Sequence, residues 1–236
     1  MAPTRSDRPT SDLPPAVTSA AALDGRQSHL VPTTPALRSL FPDGGLRRGS
    51  TVSVTGAGAT SLSFALLAGS QTAGGWCAAV GTDSLGLLAA DQAGVVLSRF
   101  AVVSEAGADW PTIVAALLDA FEIILLRPPS PVSTALHQRL IARVRERQRV
   151  LLLLAPDGTA GLSCDVALIG TTGVWEGLGW GAGHLRSRQI EVRAEGRRLA
   201  GRSRRTAVWI PDQHGRVAPV RPASAPTPLH RVEGVA

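Results

Sequence analysis

Five short apolar runs separated by four stretches of helical spacing constrain this chain more than any other feature. The runs are TVSVTG (51–56), WCAAVGT (76–82), RFAVVSE (99–105), EIILLR (122–127) and RVLLLLAP (149–156). Between them lie LSFALLAGSQTA (62–73), SLGLLAADQAG (84–94), DWPTIVAALLDAF (109–121) and SPVSTALHQRLIARVRERQ (130–148). A strand that is apolar on both faces must be covered on both faces, and helices of this length supply the cover. The expected fold is therefore α/β, a mostly parallel sheet flanked by helices. Asp109 is an expected N-cap, with Pro111 in the first turn. Beyond 160 the period changes to two with glycine-rich joints, in CDVALIG, GVWEGLG, RQIEVRAEG and TAVWIPD. That pattern predicts a C-terminal antiparallel extension.

The ends differ from the middle. Residues 1–30 and 213–236 are rich in Pro, Ser, Thr and Ala and lack periodicity, so both are expected to be disordered tails around a domain at 31–212. The first tail has no apolar core of the kind a signal peptide needs, and no run of 18 apolar residues appears, so a cytoplasmic protein with no membrane partner is expected. Cys77 and Cys164 lie far apart in apolar stretches and read as reduced core thiols. No Cys or His spacing suggests a metal.

All 24 basic residues are arginine, there is no lysine or tyrosine, and the formal net charge is +6. Without lysine there is no Schiff base and no lysine clamp on a phosphate. The excess suits an acidic partner, nucleic acid first. GC-biased coding produces the same composition.

The segment VTGAGATSLSFALLAG (54–69) has the outline of a phosphate-gripping loop, a strand followed by GxxxxGK[ST] and a helix. Gly56 is the first glycine and Gly58 lies within the loop. Ser61 replaces the second glycine, Leu62 the lysine, and Ser63 stands at the magnesium position. A cation at the lysine position makes charge-assisted bonds worth roughly 1.5–3 kcal/mol each, which Ser63 alone does not replace. The segment is either a nucleotide site with its chemistry removed or an ordinary strand-to-helix turn.

The order of elements, with GGLRRGSTVSVTG (44–56), resembles the RecA-like ATPase superfamily, in which a GG-L-x-x-G turn leads into the loop strand. The resemblance runs from about 31 to about 210. It is closest to the shortened ImuA-type accessory proteins of bacterial inducible-mutagenesis cassettes, in their actinobacterial form, and GVWEGLGWGAGHLRSRQIEVRAEGRR (173–198) looks like the tail half of that group. The family places a magnesium-holding Asp at the end of the strand EIILLR, where this chain has Arg127. Its water-polarising acid is nearest to Asp83, and its polar sensor falls at Ala155-Pro156. The resemblance thus implies a non-enzymatic member with a degenerate phosphate loop, ATP binding weak or lost, and no cofactor. It implies a role in the SOS response, DNA repair and translesion synthesis. The implied partners are an inactive Y-family-like polymerase subunit and an error-prone replicative-type polymerase. Two other readings stand beside it, a weak ATPase using Arg47 or Arg48 as a substitute cation, and a DNA-binding or cell-division regulator on the same fold.

Arg139, Arg143 and Arg147 recur at i, i+4 and i+8 and share a helix face, flanked by Arg145 and Arg149. Residues 186–205 carry Arg186, Arg188, Arg193, Arg197, Arg198, Arg202, Arg204 and Arg205 against Glu191 and Glu195. These are candidates for contact with DNA phosphates, Arg139, Arg143, Arg147, Arg186, Arg188, Arg197, Arg198, Arg204 and Arg205 above all; a solvated basic surface is the alternative. Trp76, Trp175 and Trp209 are expected to be buried, Trp180 is assigned to neither core nor surface, and His137 and His184 are expected on the surface. The C-terminal tail, with Val217, Val220, Leu229, Val232 and Val235 among arginines, is either a docking arm or a passive tail.

Overall fold

The computed structural model describes residues 29–83, 85–129, 132–155, 163–178, 183–199 and 202–220. Leu30–Pro32 (β1) and Gly45–Arg47 (β2) form a small antiparallel pair. Ser50–Gly56 (β3) starts the main sheet, and Ala59–Gln71 is the first α-helix, α1. Cys77–Val80 (β4), Leu87–Gln92 (α2), Phe100–Val103 (β5), Trp110–Ala120 (α3), Ile123–Leu126 (β6), Thr134–Arg147 (α4) and Val150–Ala155 (β7) follow. All five apolar runs are strands and all four intervening stretches contain helices. The ladder order is β8-β3-β7-β6-β4-β5, parallel throughout, where β8 is Val166–Gly170.

Strand parity sorts the core into two layers. Cys77, Ala79, Ile123, Leu125, Leu152 and Leu154 face α1 and the segment 31–46. Ala78, Val80, Ile124, Leu126, Leu151 and Leu153 face α3 and α4. Both layers are close to dry, and each fully buried Leu or Ile contributes about 1.5–3 kcal/mol. Helix α1 is buried almost all round, between the sheet on one side and β1 on the other, as a helix without a polar stripe requires. Helix α4 starts at Ser133, whose hydroxyl accepts from the Leu136 N–H at 3.3 Å. Asp109 sits at the N-cap of α3 as expected, but its carboxylate makes no cap bond.

The C-terminal extension is antiparallel, built from Val174–Leu178 (β9), Gly183–Glu195 (β10), Arg204–Trp209 (β11) and Ala218–Pro219 (β12). Its first strand is the exception. The segment CDVALIG forms β8, which runs parallel to β3 and antiparallel to β10, so it is the seam between the two halves.

Three expectations need correction. Residues 213–220 are folded: Asp212 Oδ1 accepts from the N–H groups of His214 and Arg216 at 2.8 Å, and the turn returns the chain to pair β12 with β11. Val217 packs on the core. The turn signal was the Asp-x-x-Gly of DQHG. The rest of the expected tail, 221–236, lies outside the described residues, as do residues 1–28 and Trp180. Secondly, Trp76 and Trp175 are 51% and 40% exposed, and Trp209 is half-buried; among the described residues the buried indole is Trp110, at the start of α3. Trp76 lies at a strand entrance, edge-on to Phe121. Thirdly, His137 is half-buried, and that burial pulls its pKa below the ordinary value. His184 is exposed, as expected. No helix among the described residues is long and apolar enough to cross a membrane.

Candidate functional site

The strand β3 ends at Gly56, and the chain needs only Ala57 and Gly58 to turn into α1. Gly56 and Gly58 have φ of 76° and 74°, conformations that favour glycine. A Cβ on Gly56 would meet the Gly170 carbonyl oxygen at 2.3 Å, and the Ala57 N–H donates to that same oxygen at 2.9 Å. The end of β8 thus holds the turn closed from the side. Over Gly58 lies the Arg188 guanidinium, 2.7 Å from where a Cβ would stand. Arg188 is fixed there by its Nε, which donates to the Ile210 carbonyl at 3.3 Å, and by Trp175, whose ring centroid is 4.8 Å away. Burial pushes its pKa below the usual arginine value.

Helix α1 starts at Ala59, before the lysine and magnesium positions, so both lie inside it. Leu62 is 0% exposed and packs in the core. Ser63 is equally buried, and its hydroxyl donates to the Ala59 carbonyl at 2.9 Å. Ser61 alone of the two serines faces open space. It lines a cavity of about 760 Å³ with Gln92, His184, Arg186 and His214.

Arg127 is exposed beyond the end of β6, its N–H donating to the Val80 carbonyl. It lines a cavity of about 660 Å³ with Asp83 and Glu105 at the carboxyl ends of β4, β5 and β6. Arg47 and Arg48 precede β3, at the end of the strand opposite Gly56. Arg48 pairs with Glu122 and Arg47 with Asp43 at 3.3 Å. Neither is placed to act as a substitute cation at the loop, which removes the basis for the weak-ATPase reading built on them. Among the described residues no cluster of His, Cys, Asp and Glu could hold a metal ion.

The candidate arginines do not form one surface. Arg143 and Arg147 share a helix face as expected, but that face meets α3: Arg143 Nη2 donates to both oxygens of Asp119 at 2.9 Å, and Arg147 Nε lies 2.9 Å from one of them. Arg139 is exposed on the same helix. Of the second cluster, Arg186 is at the cavity beside Ser61, Arg188 over the turn, and Arg197 on the Ser163 hydroxyl. Arg198 Nε lies 3.2 Å from Asp165. Arg204 reaches the Ser39 carbonyl at 3.2 Å, and Arg205 lies 4.0 Å from Glu191. The residue that sequence reasoning missed is Asp165, which accepts from the Thr51 N–H and hydroxyl and draws in Arg145 and Arg198 together. An acid directly before a strand carries no local signal of that role.

Both thiols are held in their protonated form. Burial pushes Cys77 and Cys164 up to about 11, partly offset by hydrogen bonds from Ser70 to the first and from Ser53 and Thr51 to the second.

Known proteins agree with the architecture. The crystal structure of the RadB recombinase superposes with a TM-score of 0.55 at 15% identity, covering 79% of this chain and 97% of that one. This likeness shows a RecA-like fold. The uncharacterized protein Rv3395c of Mycobacterium tuberculosis (strain ATCC 25618 / H37Rv) is 36% identical over 133 residues, 56% of this chain. The match spans 60% of that relative's length. Residues 39–158, just over half of the chain and all of the parallel sheet from β3 to β7, match the MT3502 N-terminal domain family, and the chain belongs to that family.

Proposed function

We propose that this RecA-like protein is a non-catalytic accessory of DNA-damage tolerance, of the ImuA type, acting through a polymerase-type partner and through contact with the DNA backbone. The observation that carries the non-catalytic part is the inward turn of Leu62 and Ser63. A nucleotide's terminal phosphates need a cation and a metal-binding hydroxyl at the mouth of the loop. Here one position is core and the other is bonded to its own helix. Arg127, at the place of the magnesium carboxylate, repels the metal. The arginine excess supports the DNA part, since phosphate neutralisation is its ordinary use. The polymerase partners rest on the family resemblance of the sequence.

Two measurements test the proposal. Purified protein with ATP and magnesium is expected to release no phosphate above a buffer blank. Turnover that Ser63→Ala abolishes would sink the non-catalytic reading. Co-expression with the inactive Y-family-like subunit of the same cassette is expected to give a complex that survives gel filtration. Separate elution at micromolar concentration would remove the partner assignment.

A further inference from the structure

We propose that the cavity in front of β3 is a phosphate-binding site that takes the backbone of a nucleic-acid strand. This deepens the DNA-contact part of the proposed function and locates it away from the phosphate loop. The cavity has a volume of about 580 Å³ and is lined by Arg47, Arg48, Gly49, Arg145, Gln148 and Arg198, among others. Three arginine segments separate in sequence converge here: the turn before β3, the end of α4, and the 3-10 turn after β10. Helix α4 stops at Gln148, in the left-handed conformation with φ of 53°, its side-chain amide donating to the Arg145 carbonyl. That turn presents Arg145 to the cavity.

The charges do not cancel. Four guanidinium groups meet three carboxylates, Asp43, Glu122 and Asp165. Arg48 is committed to Glu122. Arg145 and Arg198 share the single carboxylate of Asp165, and the Arg145 contact is 3.9 Å, too long for a hydrogen bond. Arg145 and Arg47 are each 58% exposed. A guanidinium carries five donors in a fork that fits phosphate oxygens, so most donors on this wall remain for a ligand. The carbonyl end of α4 is the negative end of its dipole and offers an anion nothing. Binding must therefore depend on the arginine side chains alone. A strand fits better than a free nucleotide for two reasons. No Phe or Trp lines the cavity, and its single ring is the imidazole of exposed His29, so a base has no pair of rings to lie between. Arg197 and Arg202, near Arg198 in the chain, are both exposed and add positive charge beyond the lining residues.

The test is a titration of the full chain with a fluorescent oligothymidylate at low salt, with ATP and inorganic pyrophosphate as competitors. Arg47→Gln and Arg145→Gln are expected to weaken oligonucleotide binding about tenfold each, the loss of one charge-assisted contact. Each should flatten the log–log salt slope by about 0.7, the value for one phosphate of a single strand. Arg193→Gln removes the same charge from β10, outside the cavity, and should weaken binding by less than threefold. If the cavity variants match the wild type while Arg193→Gln weakens binding, the strand lies elsewhere; the cavity assignment falls and the DNA reading survives. If the wild type binds no oligonucleotide at low salt, both fall. If ATP or pyrophosphate displaces the strand from the wild type at micromolar concentration, the cavity holds a free phosphate compound and the strand assignment is wrong.

Discussion

The two ends of β3 differ in what their side chains present to a ligand. At its carboxyl end, where α/β folds place phosphates, the turn is clamped by Gly170 and covered by Arg188, and the side chains that would meet a ligand point into the helix. At its amino end, which such folds use for stability, four arginines open onto a cavity. The difference lies in side chains and not in the backbone plan, since the same strand, helix and ladder serve both ends. A shared fold therefore says where related folds place phosphates, and the charge distribution says where this chain concentrates its cations.

The comparison breaks if the carboxyl end still has room for a cation, and the largest expected effect tests that. Leu62→Lys would restore the lysine of a phosphate loop on paper. In this structure it places an ammonium in the core, at a position with no exposure. An uncompensated buried charge costs roughly 3–5 kcal/mol. The variant is expected to lose most of its stability in urea unfolding and to gain no ATP binding. A variant that stays folded and binds ATP would show that the loop opens readily, and the contrast between the two ends would fail.

At the amino end the strongest structural element is the Arg48–Glu122 pair. Glu122 is largely buried, and its second oxygen has no partner among the described residues. Arg48→Met leaves the carboxylate unpaired, at a cost of about 3 kcal/mol. Adding Glu122→Met should recover most of that loss, because the unpaired charge and not the missing contact is the cause. A double variant no better than the single would mean that the pair holds geometry rather than charge.

The parallel half was legible because its physics is local. Runs such as EIILLR and VLLLLA have no polar face, so they can only be central strands, and each was placed within one residue at either end. The seam was not legible. Val166–Gly170 alternates like an edge strand, since Ala167 and Ile169 are half-exposed, yet it pairs parallel to β3. Which ladder a strand joins is set by tertiary contacts that a period of two does not encode. The residues at the phosphate-loop positions were plain in the sequence, but not that α1 starts early enough to turn Ser63 inward. The arginine periodicity of α4 was legible, but not that Asp119 on a neighbouring helix would pair with Arg143 and Arg147. Trp76 and Trp175 misled for the same reason: an apolar side chain at a strand entrance or in a hairpin is buried only if something else covers it.

An effect spread over two pH units separates the core beneath both ends from its surface, and the composition makes it clean. With no lysine and no tyrosine, the side chains that titrate between pH 9 and 11 are the two thiols. Both have native values of about 11, against an unfolded value of 9.0. Above pH 9 the unfolded chain releases these protons while the native one keeps them. Stability must then fall as pH rises through that window, by up to about 1.4 kcal/mol per pH unit for each thiol. Urea midpoints at pH 8.5 and 10.5 should show the fall, and Cys77→Ala should reduce it. A flat profile would mean that water reaches both thiols.

The smallest expected effect is the sharpest test of the carboxyl end. The Ser63 hydroxyl donates to the Ala59 carbonyl within α1 and touches no site. Such a bond to the carbonyl four residues back adds little to a helix, and alanine has the higher helix propensity. Ser63→Ala should therefore change stability by less than about 1 kcal/mol, the net worth of an ordinary hydrogen bond. It should leave any residual nucleotide affinity untouched, with or without magnesium. At a working magnesium position the same change would remove a metal ligand, and affinity would drop only when the metal is present. Fluorescent nucleotide titrations of the wild type and the variant, each in magnesium and in chelator, distinguish the two. A magnesium-dependent loss in Ser63→Ala would mean that the hydroxyl leaves Ala59 when nucleotide arrives, and that the carboxyl end of β3 still binds it.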